Sequence, residues 1–531
     1  MQMTFSDQYR EACRKMALQI ASMKKASMKD IENVKLKVSQ EYKLIKVPSN
    51  IEILDNAPAE LLEEVRKKIS KKPTRLISGV TVITVVAPIY ECPHGGCIYC
   101  PGGKSSPRSY TGREESVENA SKAGYDPYLQ VLSQVNKLER LGHRVDKVEL
   151  IFIGGTFNAM PQGFQRWFVK RCLDALNRFN SRCFEEALEI AEKASTRVSG
   201  ITVETRPDWA KQTQANKLLE LGVTRVELGV QTLDDEIYKL VNRGHTIEDV
   251  VEATQVLKDL GFKVGYHLMP NLPGSSYEKD LEIYRIMWRD SRFRPDLIKI
   301  YPTLVLPDTG LYELWKRKEY RPYPEDVLVK LLAEWLLETP PYVRIQRVQR
   351  EIPLQITIDG NKIGNLRERI EQYLESLGLS CRCIRCREVG RKTRMGIEIN
   401  QENIRLSILK YKASQGIEYF ISYEDPVTDA LIGFIRLRLP SKALRKELEN
   451  AAIIRELHVY GKMSPVKHRS EDSWQHKGYG SRLLAKAEEI ASVELGVKKI
   501  AVISGVGVRE YYYRRGYIRD GPYVSKRLDN Q

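Results

Sequence analysis

The sequence predicts a multidomain α/β chain: a parallel-strand unit, either an open barrel or a doubly wound sheet, followed by a smaller α+β domain. Three observations predict it. Short apolar, β-branched runs at 81–86, 148–153, 201–203, 225–230, 263–267 and 297–301 alternate with helical patterns, the order that pairs strands in parallel. From about Ile397 the pattern changes to closely spaced strands at 419–423, 431–439 and 452–459, then a helix at 481–491 and a strand at 500–503. The length of 531 residues suits three or four domains of about 150 residues each.

The expected domains are a basic helical region at 1–75, the parallel-strand unit at 76–339, a connector at 340–395 and the last domain at 396–531. The first is helical from Asp7 to about Leu62 and carries Arg10, Arg14, Lys15, Lys24, Lys25, Lys29, Lys35 and Lys37. A solvated helix face accounts for such a run, but the whole chain carries a net charge of +16 and a pI near 9.2, which favours a polyanionic partner, most simply nucleic acid. Membrane lipid is the weaker alternative. No apolar run reaches the roughly 20 residues that a bilayer crossing needs, and the N-terminus, with Asp7, Arg10 and Glu11, lacks a secretory h-region. A cytoplasmic location and no membrane partner are expected.

Cys92, Cys97 and Cys100, spaced C-x4-C-x2-C on a loop with Gly95, Gly96, Gly102 and Gly103, follow the first strand. Three thiolates so placed can hold three irons of a 4Fe-4S cluster and leave the fourth open to a small molecule; spacing alone also admits zinc. Of the nine cysteines six fall in two tight clusters, so metal binding explains them better than disulfides. Cys13, Cys172 and Cys183 are given no role.

Parallel sheets bind ligands at strand C-termini, and the polar residues of this unit collect there. Gly154-Gly155-Thr156 follow the second strand, Glu204-Thr205-Arg206 the third and Gln231-Thr232 the fourth, His267 ends the fifth, and Lys299 lies on the sixth. The connector holds an arginine-rich stretch, 344–350, and then Cys381, Cys383 and Cys386. These three suit a structural zinc whose fourth ligand comes from elsewhere or is water. In the last domain Gln475-His476-Lys477-Gly478-Tyr479-Gly480 opens the helix at Ser481, a turn that aims backbone N–H groups and the helix dipole at a pyrophosphate.

The cysteine loop, the Gly-Gly-Thr and the polar strand ends resemble a radical-SAM domain, and the strand–turn–helix–strand order of the last domain resembles the GNAT acetyltransferases. The fusion, from about Lys72 to Lys526, resembles the family of the Elongator catalytic subunit and its stand-alone archaeal and bacterial relatives, through CPHGGCIYCPGG, IGGTF, ETRPD, ELGVQTL, NRGHT, MPNLPG, KIYPTLV, RVQREIP, RELHVYG and GPYVSK.

The resemblance implies a radical-SAM partial (β/α) barrel joined to a GNAT-type domain. It implies modification of the tRNA wobble uridine to 5-carboxymethyluridine from S-adenosylmethionine (SAM) and acetyl-CoA. Cys92, Cys97 and Cys100 would hold the cluster, and Gly154, Gly155, Thr156, Glu204, Arg206 and Gln231 would hold SAM. Lys147 matches a lysine assigned to acetyl-CoA, and Lys299 is a second candidate for a site shared by the two halves. Glu456, Leu457, His458 and Val459 would take the pantetheine, Gln475, Lys477, Gly478, Tyr479, Gly480 and Ser481 the pyrophosphate, and Tyr512 would stand near the thioester. Where the family usually has an apolar residue, this chain has Arg515.

The implied partners are the anticodon stem-loop of tRNA and an electron donor, with a homodimer or accessory subunits as alternatives to a lone chain. Two other readings compete: a protein lysine acetyltransferase with Glu456 as base and a structural iron-sulfur half, and a nucleic-acid-binding scaffold with decayed sites. The intact cysteines and glycines speak against the latter.

Overall fold

Seven strands, β1 (Thr81–Val86), β2 (Lys147–Ile153), β3 (Arg197–Thr205), β4 (Arg225–Gln231), β5 (Lys263–Leu268), β6 (Leu297–Ile300) and β7 (Arg344–Arg347), form one parallel sheet in chain order. The computed structural model describes residues 5–24, 26–69, 79–461, 474 and 477–528. Six of these strands coincide with the apolar runs. The seventh lies in the stretch expected to be a connector: of Arg344-Ile345-Gln346-Arg347 only Ile345 is buried, as fits an edge strand with no apolar run to announce it.

A second sheet has the order β13-β14-β12-β11-β10-β9-β8. Its strands are β8 (Arg405–Ala413), β9 (Gly416–Asp425), β10 (Ala430–Leu439), β11 (Ala451–Val459), β12 (Lys499–Val502), β13 (Ile518–Asp520) and β14 (Tyr523–Arg527). All pairs are antiparallel except β11 with β12, which are joined by the helix Tyr479–Glu489. That helix buries Leu483, Leu484 and Ala487 against Ile435, Ile454, Ile500 and Tyr512. Truncating one such leucine to alanine costs about 2–5 kcal/mol.

The chain divides into two units, Met1–Ile77 with Val131–Asp146, and Ser78–Gln130 with Lys147–Gln531. In the smaller, helices Phe5–Ser22, Met28–Glu41, Asn50–Asp55 and Leu62–Ile69 close over Ala12, Met16, Ile20, Ile31, Ile53 and Val65. Ser27 with Asp30 and Ser49 with Glu52 form capping boxes that satisfy the first N–H groups of two of them. Of the basic residues in the run, Lys15 pairs with Glu41 at 2.5 Å and the buried Lys35 with Glu32 at 2.9 Å. Arg10, Arg14, Lys24, Lys29 and Lys37 are exposed, and Lys25 lies outside the described residues.

In the larger unit the second sheet seats on the N-terminal ends of the parallel strands. Tyr523 donates to the Leu260 carbonyl before β5, Arg455 to the Phe262 carbonyl, and Arg436 to the Tyr342 carbonyl before β7. Gly507 lies against the backbone of Arg197 and Val198 at the start of β3, so close that a Cβ there would meet Val198 N at 2.5 Å. The C-terminal strand ends face the other way. No helix among the described residues is long and apolar enough to cross a membrane.

Candidate active site

The cysteine loop is tied down at the C-terminal ends of the parallel strands. Ile98 N–H donates to the Val241 carbonyl, Asn242 Nδ2 to the Gly96 carbonyl at 2.8 Å, and Leu311 N–H to the Ile98 carbonyl. Cys97 and Tyr99 are buried with Ile237, Val241, Met269, Leu272 and Leu311, so an apolar floor fixes a loop that has little regular structure of its own.

Gly154 and Gly155, at φ +119° and +81°, end β2 in the left-handed region, and Ala87 N–H bonds the Ile153 carbonyl beside them. A Cβ at Gly155 would lie 3.7 Å from Cys92 Sγ, and Thr156 Oγ1 lies 4.0 Å from the same sulfur. The bare Gly-Gly backbone therefore looks directly onto the cysteine loop. Gln231 ends β4 at φ +72°, unusual for a side chain with a Cβ, and its buried Oε1 has no partner. Arg206 is buried, pairs bidentately with Asp208 at 2.9 Å, and keeps Nη1 unpaired.

Inside the mouth Lys299 Nζ lies 3.1 Å from Glu204 Oε1 and pairs with Glu227, while His267 Nε2 lies 2.9 Å from Glu227 Oε2. Burial works against the ammonium, but Glu227, Tyr301 and Glu204 outweigh it and hold Lys299 protonated; Glu227 is correspondingly held ionised, burial being overcome by Lys299 and Arg225. Lys299 is thus a cation and donor, not a base. Ligand atoms of Glu204, Glu227 and His267 converge within 4.8 Å, but the ammonium already fills the place of a cation.

β7 brings Arg347 and Arg350 to this mouth. Arg350 donates to the Ser109 carbonyl and lies 5.9 Å from the Tyr301 ring. The sequence places this stretch in the connector, because a short edge strand gives no periodic signal. The stretch 242–245, within the NRGHT motif, was given no role by the sequence; here Arg243 reaches Cys97 Sγ at 3.5 Å and Gly244 accepts from Arg206. A glycine two residues after an asparagine, directly behind a helix, was the available signal.

Lys147 stands elsewhere. It begins β2, in register with Arg197 of β3, at the end where the second sheet packs. Seven residues at about 3.3 Å put it roughly 20 Å from the glycine cradle. The structure therefore does not bring Lys147 and Lys299 together.

In the second sheet β11 pairs with β12 only over residues 451–454; beyond Ile454 its pairing in the sheet is with β10 alone, through residues that include Glu456, Leu457, His458 and Val459. The gap leaves strand backbone beside the helix Tyr479–Glu489, whose N-cap Gly478 sits at φ +79°. Lys477, Arg482 and Arg515 crowd this helix start, and among the described residues none lies within 4.0 Å of a carboxylate. Arg515 stacks on the Tyr511 ring at 3.7 Å and donates to Ser481 Oγ at 3.0 Å. A helix N-terminus disfavours cations, so three of them gathered here are arranged as an anion would need. A Cβ at Gly480 would come within 3.1 Å of Tyr511 Oη. Tyr479 is buried, and Tyr512 is buried among Leu483, Tyr511 and Tyr517. Gln475 and His476 lie outside the described residues.

Cys381, Cys383 and Cys386 bring their sulfurs within 4.8 Å of one another, beside Arg367, whose Nη2 lies 3.3 Å from Cys386 Sγ. The Cys381 and Cys386 thiols donate to Cys383 and hold it toward the thiolate. A tetrahedral zinc at Zn–S of about 2.3 Å needs sulfurs about 3.8 Å apart; the triad, within 4.8 Å, is close enough to share one ion. Cys92, Cys97 and Cys100 do not converge within that 4.8 Å, so as placed they are too far apart to share a single ion.

Comparison with known proteins agrees with this architecture. Residues 86–287 match the Radical SAM superfamily, 295–376 the Radical_SAM C-terminal domain and 9–77 the ELP3 N-terminal domain. The tRNA uridine(34) acetyltransferase of Methanocaldococcus jannaschii is 47% identical over 510 residues, 94% of each chain. Elongator complex protein 3 of Saccharomyces cerevisiae is 42% identical, covering 93% of this chain and 91% of its own. The solved structure of the Methanocaldococcus infernus Elp3 lacking residues 1–46 superposes with a TM-score of 0.77 at 44% identity, over 85% of this chain and all of that one.

Proposed function

We propose, on the premise that this chain belongs to the Elongator complex protein 3 family, that it modifies uridine 34 of tRNA with an acetyl-derived group, giving 5-carboxymethyluridine from acetyl-CoA by radical chemistry. The observation that carries the reading is the glycine pair that ends β2, where a Cβ at Gly155 would lie 3.7 Å from Cys92 Sγ, in a chain that also holds a cationic helix start beside a parted strand pair.

When bound, a 4Fe-4S cluster with SAM supplies a carbon radical able to take hydrogen from an acetyl methyl group. The residues present fit that pair. Cys92, Cys97 and Cys100 would hold three irons, and the left-handed glycines would leave backbone groups open to the amino-acid end of SAM. Gln231 and Arg206 offer unsatisfied buried polar atoms that a ligand would complete. Lys299, fixed as a cation, would orient Glu204 and present positive charge to the substrate carbonyl.

Acetyl-CoA would place its pantetheine along β11 and its pyrophosphate on the helix start, where Lys477, Arg482 and Arg515 face it. In this reading Lys147 serves the acetyl-CoA side and Lys299 the radical side, so the acetyl group crosses a distance of about one strand length, roughly 20 Å. The exposed bases of the N-terminal helices would carry the phosphates of the anticodon stem-loop. Cys381, Cys383 and Cys386 would hold a structural zinc, for which Glu371 brings a carboxylate oxygen to 3.9 Å of Cys386 Sγ. The reaction needs an external electron donor, and the enzyme belongs to the cytoplasm in this account.

The lysine acetyltransferase alternative depends on Glu456 as base. Burial pushes its carboxyl up, but Lys263, Arg436 and His458 outweigh burial and bring it down to about 2. A general base works best near neutral pKa, so Glu456 is poorly suited.

The test is anaerobic reconstitution with iron and sulfide, then incubation with reductant, SAM, acetyl-CoA and bulk tRNA, and mass spectrometry of the digested nucleosides. Carboxymethyluridine, absent with Cys97→Ala and absent without acetyl-CoA, is expected. Unmodified tRNA from a protein that holds its cluster and cleaves SAM would overturn the single-chain reading and direct the search to a homodimer or accessory subunits.

A further inference from the structure

Of the three cysteines in the loop, Cys97 is the one with a guanidinium and an imidazole against its sulfur among the described residues. Arg243 Nη1 lies 3.5 Å from its sulfur and His94 Nε2 3.3 Å away, and the buried Tyr99, whose hydroxyl has no hydrogen-bond partner among the described residues, belongs to the same packed cluster. Cys92 has the Thr156 hydroxyl at 4.0 Å; Cys100 has the Ser109 hydroxyl at 4.0 Å and the Pro101 carbonyl beside it, and the Ser109 backbone and the more distant charge of Arg350 also act on it.

Arg243 is 7% exposed, and among the described residues no carboxylate lies within 4.0 Å of it. Its other contact is the Gly229 carbonyl, which accepts from Nη2, while Nε is unpaired. A buried guanidinium without an anion is costly, of the order of several kcal/mol. The fold nonetheless makes room for it. A Cβ at Gly229, in the middle of β4, would come 2.5 Å from Arg243 Nη2, so the glycine is the space in which the guanidinium lies. Asn242 and Gly244 on either side are bonded to Gly96 and Arg206, which holds the arginine's backbone against the cysteine loop.

We propose that Arg243 is the counter-cation of the Cys97 thiolate and a positioning residue that sets the reduction potential of the iron-sulfur cluster held by this loop. The inference rests on the reading of Cys92, Cys97 and Cys100 as cluster ligands. A positive donor on a ligand sulfur stabilises the reduced, more negative cluster and raises its potential. Among the described residues Arg243 is the one guanidinium hydrogen-bonded to a sulfur of this loop, so its loss removes the nearest positive charge.

The experiment compares wild type, Arg243→Met and Arg243→Lys, each reconstituted anaerobically. Iron and sulfide content are measured first, then the midpoint potential by a redox titration followed by electron paramagnetic resonance, with no SAM present. Wild type holding fewer than about three irons would overturn the cluster reading, and with it this proposal, whereas a loaded wild type makes the potential a test of Arg243 alone. With clusters loaded, Arg243→Met is expected to shift the reduced-to-oxidised ratio at a fixed potential at least tenfold toward oxidised, 59 mV for a one-electron couple. Arg243→Lys should stay within about threefold of wild type. If Arg243→Met does not load, Arg243→Gln, which keeps a donor and loses the charge, is held to the same tenfold expectation. A loaded neutral variant with the wild-type potential overturns the proposal, including one whose only defect is weaker binding of SAM through its carboxylate.

Discussion

Arg455, on β11 of the second sheet, grips both oxygens of Asp296, the residue before β6 of the first, with Nη1 2.8 Å from Oδ2 and Nη2 2.6 Å from Oδ1. The pair is the centre of a buried network. Glu418 accepts from Arg455 and Arg438 at 3.0 Å each, Arg438 reaches Asp259 at 2.5 Å, and Lys258 stands 3.5 Å from Asp296. All are 1% exposed or less. Charges from the helix end at 258–259, the turn before β6 and three strands of the second sheet are thus satisfied only when the two sheets are docked.

Removing one member leaves its partner buried and unpaired, which costs about 3–5 kcal/mol. Asp296→Asn should therefore lower stability by that amount in a urea titration. A loss under 1 kcal/mol would show that the network contributes little.

The same network fixes the pH response. Glu456 is brought to about 2 from an ordinary 4.5 because Lys263, Arg436 and His458 overcome the opposing burial, and Asp296 is likewise held low, burial being overcome by Arg455 and Lys258. A carboxylate whose folded pKa is depressed contributes stability above its unfolded value and loses it as pH falls through the folded one. For Glu456 the contribution is on the order of 3 kcal/mol, present above about 4.5 and lost toward 2. The urea midpoint should fall steeply below pH 4.5, and Glu456→Gln should flatten that limb. An unchanged acid limb in the variant would contradict the assignment.

Much of this was legible in the sequence because the chemistry sits on turns with distinctive residues. Cys92 to Gly103 and Gly154-Gly155 announce themselves by thiol spacing and by the need for a left-handed backbone. Six parallel strands were legible as apolar runs. β7 was not, because an edge strand reading Arg-Ile-Gln-Arg buries one side chain, and β8 was not, because nearly all of its residues are exposed. The separation of Lys147 from Lys299 was also hidden: both lie on strands, but which end of a parallel sheet receives the second sheet depends on pairings such as Arg455 with Asp296, 159 residues apart in sequence.

The glycine cradle yields a sharp expectation. Gly155→Val would impose a branched side chain at φ +81°, 3.7 Å from Cys92 Sγ and 3.4 Å from Arg108. Iron content should stay near wild type while SAM cleavage falls at least about 100-fold, the scale set by a misplacement of about 1 Å in the site. Wild-type cleavage would place SAM elsewhere.

Arg515 offers a test in the second sheet. Arg515→Leu removes a cation from the start of the helix Tyr479–Glu489 and should weaken acetyl-CoA binding by about tenfold, the worth of one charge-assisted contact. Calorimetry at two salt concentrations should show a smaller salt dependence in the variant. Equal affinity at both would remove Arg515 from the pyrophosphate site.

Cys383→Ser should cost the chain one zinc per molecule by elemental analysis with iron content unchanged, since the two cysteine groups lie on separate segments. Wild-type protein without zinc would leave the triad as a cluster of reduced thiols.

The most direct measurement of the central claim, that acetyl and radical chemistry meet in one turnover, uses acetyl-CoA carrying three deuterium atoms on the acetyl methyl. One deuterium should appear in 5'-deoxyadenosine and two in the carboxymethyl group of the modified uridine, in equal molar amounts. Modified nucleoside without deuterium, or deoxyadenosine without it while label enters the nucleoside, would contradict the coupled reaction.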